Sequence, residues 1–459
     1  MNNIDLTKIL NQVPEYKEFM TIAELNASSR KLAKEFDYVD LKEIGKSREG
    51  RIIYCLKIGE GENNALLFGF PHPNEPIGSM SLEFLSRFLA ENPEFTKETG
   101  YTWYLIKAID IDGAVLNEGW FKGEFDPIKY AKHYYRCSQS DQVEWSFPII
   151  YKKLKWEKPL PETQALMRLL NELKPKFMYS LHNWDFCGVY FYVTREVGNL
   201  FTDLTKFVKN EGLPLHLGEP EVPFRKILHD AIFQNEGVKE FYDFVEAKGI
   251  ENPQEFVKSG TSSWDYLKSI DNKESFTLVC ELPYFYHDSI GDNSLSEFER
   301  RDVLLQTLEY NKNNYKHAKR VFNKIRKFCD KTTRIFLAVD DYIKITRPNI
   351  DSSIYEIKNS SIYNGKATVA QAFDSNIARR YVRSLLMISM IPRLCEEAII
   401  NHPEYEIEIA KIKYDLEQWI EQKINKLLSG IQYKVIPIQK LIRVQVGSAF
   451  ITLENLLKE

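Results

Sequence analysis

The sequence has no long hydrophobic run. Its longest notable one, Leu385 to Ile391, lies between Arg383 and Arg393 and falls far short of a bilayer span, so no transmembrane helix is expected. Charge of one sign is also missing: 61 Lys+Arg stand against 65 Asp+Glu, a formal net charge of -4. No whole-protein field would draw in nucleic acid or an anionic membrane, and neither is expected as a partner. The opening stretch MNNIDLTKILNQVPEYKEF lacks a basic segment followed by an apolar one, which makes a cytoplasmic location the expectation. Cysteine is sparse and scattered. Cys55, Cys137, Cys187, Cys280, Cys329 and Cys395 show no CxxC spacing, which argues against a zinc ribbon or a disulfide framework and for reduced packing residues. Internal repeats and low-complexity linkers are likewise missing.

What is present is an ordinary globular composition, 44% hydrophobic and 27% charged, over 459 residues. That length exceeds what one core usually organises, so two units are expected, 1–295 and 296–459. Residues 1–40 read as helical, chiefly because Ile22, Leu25, Leu32 and Phe36 recur at helical spacing behind a Thr21 N-cap. The period then changes. Strands are predicted at 51–58, 65–70, 102–109, 177–181, 189–193 and 276–282, with helices at 79–89 and 161–173 between them. Apolar strands interleaved with helices indicate an α/β sheet covered on both faces, with sites at the carboxyl ends of strands.

After about residue 290 helices dominate. Ser294 and Glu297 form a capping-box pattern before a helix carrying Leu304, Leu308, Tyr315, Ala318, Phe322, Ile325 and Cys329 on one face. Two more are predicted at about 369–400, kinked or broken by Pro392, and about 405–428. Their apolar stripes must pack on each other, on the sheet, or on a second copy of the chain in a homo-oligomer.

His72 and Glu75 follow the apolar strand ALLFGF within one tight turn, so an imidazole and a carboxylate three residues apart can chelate one cation. Together with IGKSREGRIIYCLKIG (44–59), LLFGFPHPNEPIGSMSLEFL (66–85), PETQALMRLLNELKP (161–175), YSLHNWDFCGVYFYVTR (179–195), SGTSSWDYL (259–267) and FTLVCEL (276–282), this segment resembles the M14 family of zinc carboxypeptidases over about residues 20–290. The resemblance implies a mixed central sheet flanked by helices, followed here by a mostly helical C-terminal region. It implies one zinc per chain on His72, Glu75 and His182, an open fourth position for catalysis, and Glu281 as general base.

It further implies that Arg136 stabilises the oxyanion and that Glu144 orients the first histidine ligand. Two segments depart from the family. QVEWSFP (142–148) lacks the Asn-Arg pair that grips a terminal carboxylate, and Phe256 stands where many members carry a mobile tyrosine. Trp145 and Phe256 are therefore expected to contact an apolar, blocked or unusual terminal group of a peptide or peptide-like small molecule. The alternatives are a deacylase of small N-acyl amino acids, as in the aspartoacylase-like group, and an inactive relative that binds or assembles partners.

Overall fold

The computed structural model describes residues 5–222, 224–270 and 275–459. Strands β1 (Val39–Lys46), β2 (Ile52–Ile58), β3 (Asn63–Phe68), β4 (Tyr101–Ile106), β5 (Phe177–Phe186), β6 (Tyr190–Val193), β7 (Ile227–His229), β8 (Ile232–Gln234), β9 (Phe276–Tyr286) and β10 (Lys434–Val435) form one ten-stranded sheet. Its order is β1-β2-β4-β3-β5-β9-β6-β8-β7, with β10 paired to β9. The sheet is mixed. Pairs β3/β4, β3/β5 and β5/β9 run parallel at its centre, while β1/β2, β2/β4 and β9/β6 are antiparallel. The central strands are buried along almost their whole length, which is why they read as continuous apolar runs.

The main helices are α1 (Ile22–Glu35), α2 (Ile77–Glu91), α3 (Pro161–Leu173), α4 (Leu200–Asn210), α5 (Arg300–Ile325), α6 (Arg334–Asn359), α7 (Ile391–Asn401), α8 (Glu406–Leu428) and α9 (Ile438–Leu456). Thr21 caps α1 in a reciprocal box with Glu24, as its sequence position predicts. Helix α2 lies so close to β5 that a Cβ on Gly78 would come within 2.6 Å of the Leu181 Cβ. The last helix, α9, packs on α2, α4 and β9, so the end of the chain completes the layer over the metal-side strands. Among the described residues, no helix is long and apolar enough to cross a membrane.

Several local expectations fail for identifiable reasons. Residues 1–40 are not one helix: 1–4 lie outside the described residues, a short helix spans Leu6–Leu10, and Val39 already begins β1. Ser294 and Glu297 do not cap a helix, because Leu295–Glu299 forms a strand paired with Lys366–Thr368 and α5 starts at Arg300. The predicted 369–400 helix is interrupted: Val369–Phe373 leads into π-helical turns at Asp374–Ala378 and Tyr381–Leu386, and Pro392 sits in the first turn of α7, where its missing N–H costs nothing. Helix α6 is hidden in the sequence because Pro348 lies inside it.

A buried ion network ties α6 to the sheet domain. The Arg334 guanidinium donates to Asp110 Oδ1 at 3.0 Å and approaches Asp141 Oδ2 at 3.4 Å, while Arg48 reaches Glu162 at 3.1 Å. Asp110 is fully buried. Arg334→Leu would leave it with the Gly113 N–H at 3.0 Å and, among the described residues, with Arg48 as its one cationic partner, 3.7 Å away. Breaking one partner of such a pair costs about 3 kcal/mol, and a Tm lowered by several degrees in scanning fluorimetry is the expected outcome. An unchanged Tm would show that the network contributes nothing.

Candidate metal centre

The site assembles where the central strands end. After β3 the chain turns at Gly69 and Phe70. A Cβ at Gly69 would lie 2.7 Å from the Ser79 nitrogen, and Phe70 adopts a left-handed φ of 51°, a conformation that non-glycine residues hold only under constraint. The turn closes with Glu75 N–H donating to the His72 carbonyl at 3.2 Å and delivers both side chains to one side. His182 lies within β5. Glu281 is its direct neighbour, because the parallel register of β9 on β5 pairs Glu281 with His182.

His72, Glu75, Glu144, His182 and Glu281 are all buried. One ligand atom from each of His72, Glu144 and His182 lies within 4.8 Å of the other two, a three-ligand group consistent with one zinc per chain. The set expected from sequence has Glu75 as its carboxylate. Glu75 is present too: its Oε2 lies 2.9 Å from His182 Nδ1, and its Oε1 accepts from Arg136 Nη1 at 2.7 Å. Glu144 is on the other nitrogen, with Oε2 2.8 Å from His182 Nε2, while Oε1 accepts from the Ser263 hydroxyl at 2.9 Å. The carboxylate expected on the first histidine thus engages the second one.

The electrostatics fit a cation. Burial opposes a charge on His182, yet Glu144, Glu75 and Glu281 surround the ring and hold its pKa well above the usual value. Burial and the charges of Arg136 and His182 push His72 well below it, leaving the neutral imidazole a metal requires. Burial, reinforced by Glu75 and Glu221, raises Glu281 well above the usual carboxylate range, although His182 opposes this. Glu75, Glu144 and Glu281 surround His182, and the buried Nδ1 atoms of His72 and His182 have no hydrogen-bond partner. Carboxylates beside two bare imidazole nitrogens are a donor set that suits a divalent ion such as zinc.

A cavity of about 240 Å³ opens over His72, Glu75, His182 and Glu281, lined also by Arg136, Trp145, Tyr192 and Trp264. Trp145 packs edge-on against Trp264 at 5.1 Å. Phe256 corrects the sequence reading: it is 53% exposed and does not line this cavity. Sequence reasoning misses two lining residues, Glu221 and Arg383, whereas Arg225, like Arg195, is an arginine it offers as a substitute carboxylate anchor. Glu221 accepts from Tyr192 at 2.8 Å and Tyr190 at 3.0 Å; although burial resists its ionisation, Arg225 and these hydroxyls keep its pKa below the usual value. Arg225 lies over the Tyr192 ring at 4.6 Å, and Arg383 arrives from the π-helical turn of the C-terminal region. Arg195 takes no part, since both its terminal nitrogens bind Glu459 at 2.7 Å.

Residues 25–215 match the family model described as zinc carboxypeptidase, Peptidase_M14. Among solved structures, the chain is similar to carboxypeptidase A from Helicoverpa armigera, at 14% identity and TM-score 0.39, covering 62% of this chain and 72% of that one. It is also similar to bovine thrombin-activatable fibrinolysis inhibitor solved with a tick carboxypeptidase inhibitor, at 12% identity and TM-score 0.36, covering 58% and 87%. A metallo-carboxypeptidase from Burkholderia cenocepacia gives 15% identity and TM-score 0.34, covering 57% and 60%. No curated protein matches the chain.

Proposed function

We infer, from the zinc carboxypeptidase-like M14 domain this chain carries, that it is a zinc-dependent peptidase that cleaves a terminal amide bond in a peptide or peptide-like molecule. The observation that carries this reading is the convergence of His72, His182 and two glutamates beside a buried carboxylate on the neighbouring strand. Zinc held there would supply Lewis acidity, polarising the scissile carbonyl and acidifying water.

For the ligand set we favour His72, Glu75 and His182, with Glu144 as the group that orients His182. An imidazole gives a metal one nitrogen and its other nitrogen is fixed by a partner. Glu144 and the Ser180 hydroxyl, 2.8 and 2.9 Å away, already engage His182 Nε2. On the opposite nitrogen, Glu75 Oε2 stands at 2.9 Å without forming a hydrogen bond, so this nitrogen and this carboxylate would be the pair that holds the metal.

Glu281 would take the proton from the attacking water and return it to the leaving amine; its Oε2 is buried and without a partner. Arg136, fixed by Asn74 and Glu75, would present its remaining donors to the carbonyl oxygen. Arg225 and Arg383 would supply the carboxylate grip that residues 142–148 lack. They reach the cavity from distant parts of the chain, and on this reading they provide the anchor that residues 142–148 do not.

A screen of the zinc-loaded enzyme tests this function. Matched peptides ending in a free carboxylate should be cleaved about tenfold or more faster than their amides, as expected for a charge-assisted contact of about 1.5–3 kcal/mol. Turnover of N-acyl amino acids with none on peptides would instead identify a deacylase. The division at about residue 295, a cytoplasmic location, the absence of a nucleic-acid partner and self-association through the helical region belong to the same proposal. They rest on composition and on the apolar stripes of the helices.

A further inference from the structure

Beside the metal centre lies a second and larger cavity, of about 410 Å³, sharing Arg136, Gln142, Trp184 and Arg383 with the first. Its volume is that of a small-molecule site. One wall is the end of β5, with Asn183 and Asp185. The other is built by α5 and α6, which contribute Asn311, Asp341 and Tyr342. The helical region therefore closes the space next to the reacting centre.

The polar groups on these walls are poorly satisfied. Asp185 is 3% exposed and Asn311 is 6% exposed, yet Asp185 Oδ1 and Asn311 Oδ1 accept from no donor; the buried Tyr342 hydroxyl also has no partner. Asp185 and Asp341 form no ion pair among the described residues, although Asp341 does accept the Gln139 N–H at 2.9 Å. The two arginines on the shared wall bond to groups other than Asp185 and Asp341. Arg136 binds Glu75, and Arg383 donates to the Glu221 carbonyl at 3.3 Å. Burial pushes Asp185 up to about 7, against the Tyr130 hydroxyl and the charge of Arg136, neither of which satisfies Oδ1.

Unmet buried acceptors are unfavourable, so facing acceptors on opposite walls call for a guest rich in donors. An unpaired carboxylate calls for a positive one. Leu308, Ile345 and Ile350 offer an apolar lining for a methylene stem.

We propose that this cavity is a substrate subsite for an ammonium or guanidinium group on an aliphatic stem, recognised by Asp185 and Asn311 with Asp341 and Tyr342 beside them. The proposal rests on the peptidase reading only in treating the cation as part of the substrate of the adjoining centre.

Calorimetric titration of the full-length protein with L-lysine, L-arginine, L-norleucine and L-glutamate tests it without turnover. Lysine or arginine should bind about tenfold or more tighter than norleucine, as a charge-assisted contact implies. Which of the two binds better separates ammonium from guanidinium. Asp185→Asn should abolish the preference, and Asn311→Leu and Asp341→Asn should weaken it, which keeps the test open if the first variant does not fold. The preference should survive in His72→Ala, so failure of the metal assignment would leave this result standing. Equal binding of norleucine, tighter binding of glutamate, no binding of any probe, or a folded Asp185→Asn that keeps the preference would each overturn the proposal.

Discussion

Glu281→Gln should keep the metal and the fold and lose about 10²- to 10⁴-fold in kcat, the usual share of a positioned general base. The amide fills the carboxylate's volume, so the strand register that sets residue 281 beside His182 is undisturbed. What it cannot do is accept a proton. The wild-type side chain is well placed to accept one, since Oε1 lies 3.6 Å from His182 Nδ1, Oε2 has no partner, and burial raises its proton affinity. Steady-state kinetics alongside zinc analysis checks the result. A variant that turns over like the wild type would move the search for a base to Glu144.

Truncation after residue 295 should give an insoluble or unfolded product. Helix α9 buries Leu441, Ile442, Val444, Val446, Phe450 and Leu453 against the layer over the sheet. At about 1.5–3 kcal/mol for each buried side chain, their loss rivals the whole net stability of a domain, about 5–15 kcal/mol. The damage would reach the active strand itself. Gln445 Nε2 donates to the His182 carbonyl at 2.8 Å, and its Oε1 accepts from Ser81 at 2.8 Å. Gly447 allows α9 to lie against Phe207, where a Cβ would meet the ring at 2.1 Å. A soluble truncation with full activity would show the helical region to be an appendage.

The parts of this site that are legible in the sequence are those set by local chemistry. His72 and Glu75 follow an apolar strand in one turn, and Glu281 lies on an apolar strand where a carboxylate would otherwise be costly, whereas His182 stands out through the family resemblance. What is illegible depends on distant segments meeting. Glu144 reads as a loop acid, and only the fold shows which imidazole nitrogen it engages. Counting from Ser259 places Phe256 at the site, whereas the local turn carries it to the surface. Arg383 lies within an apolar-flanked helix in the sequence, yet π-helical turns bring it to the metal-side cavity. The covered central sheet is readable from its continuous apolar strands, and its mixed strand directions from the family resemblance alone. Helices α6 and α9 are not, one because it contains a proline and the other because it is buried nearly all round and shows little periodicity.

The most direct test of the central claim is zinc content by mass spectrometry across a small variant set. Wild-type protein should carry about one zinc per chain, as a three-ligand site implies, and His72→Ala and His182→Ala should carry almost none. Glu75→Gln should lose the metal as the histidine variants do, whereas Glu144→Gln should bind it about 10- to 100-fold more weakly, the usual cost of losing a group that orients a ligand. The reverse order would make Glu144 the ligand. Zinc retained at wild-type levels in both histidine variants would contradict the account.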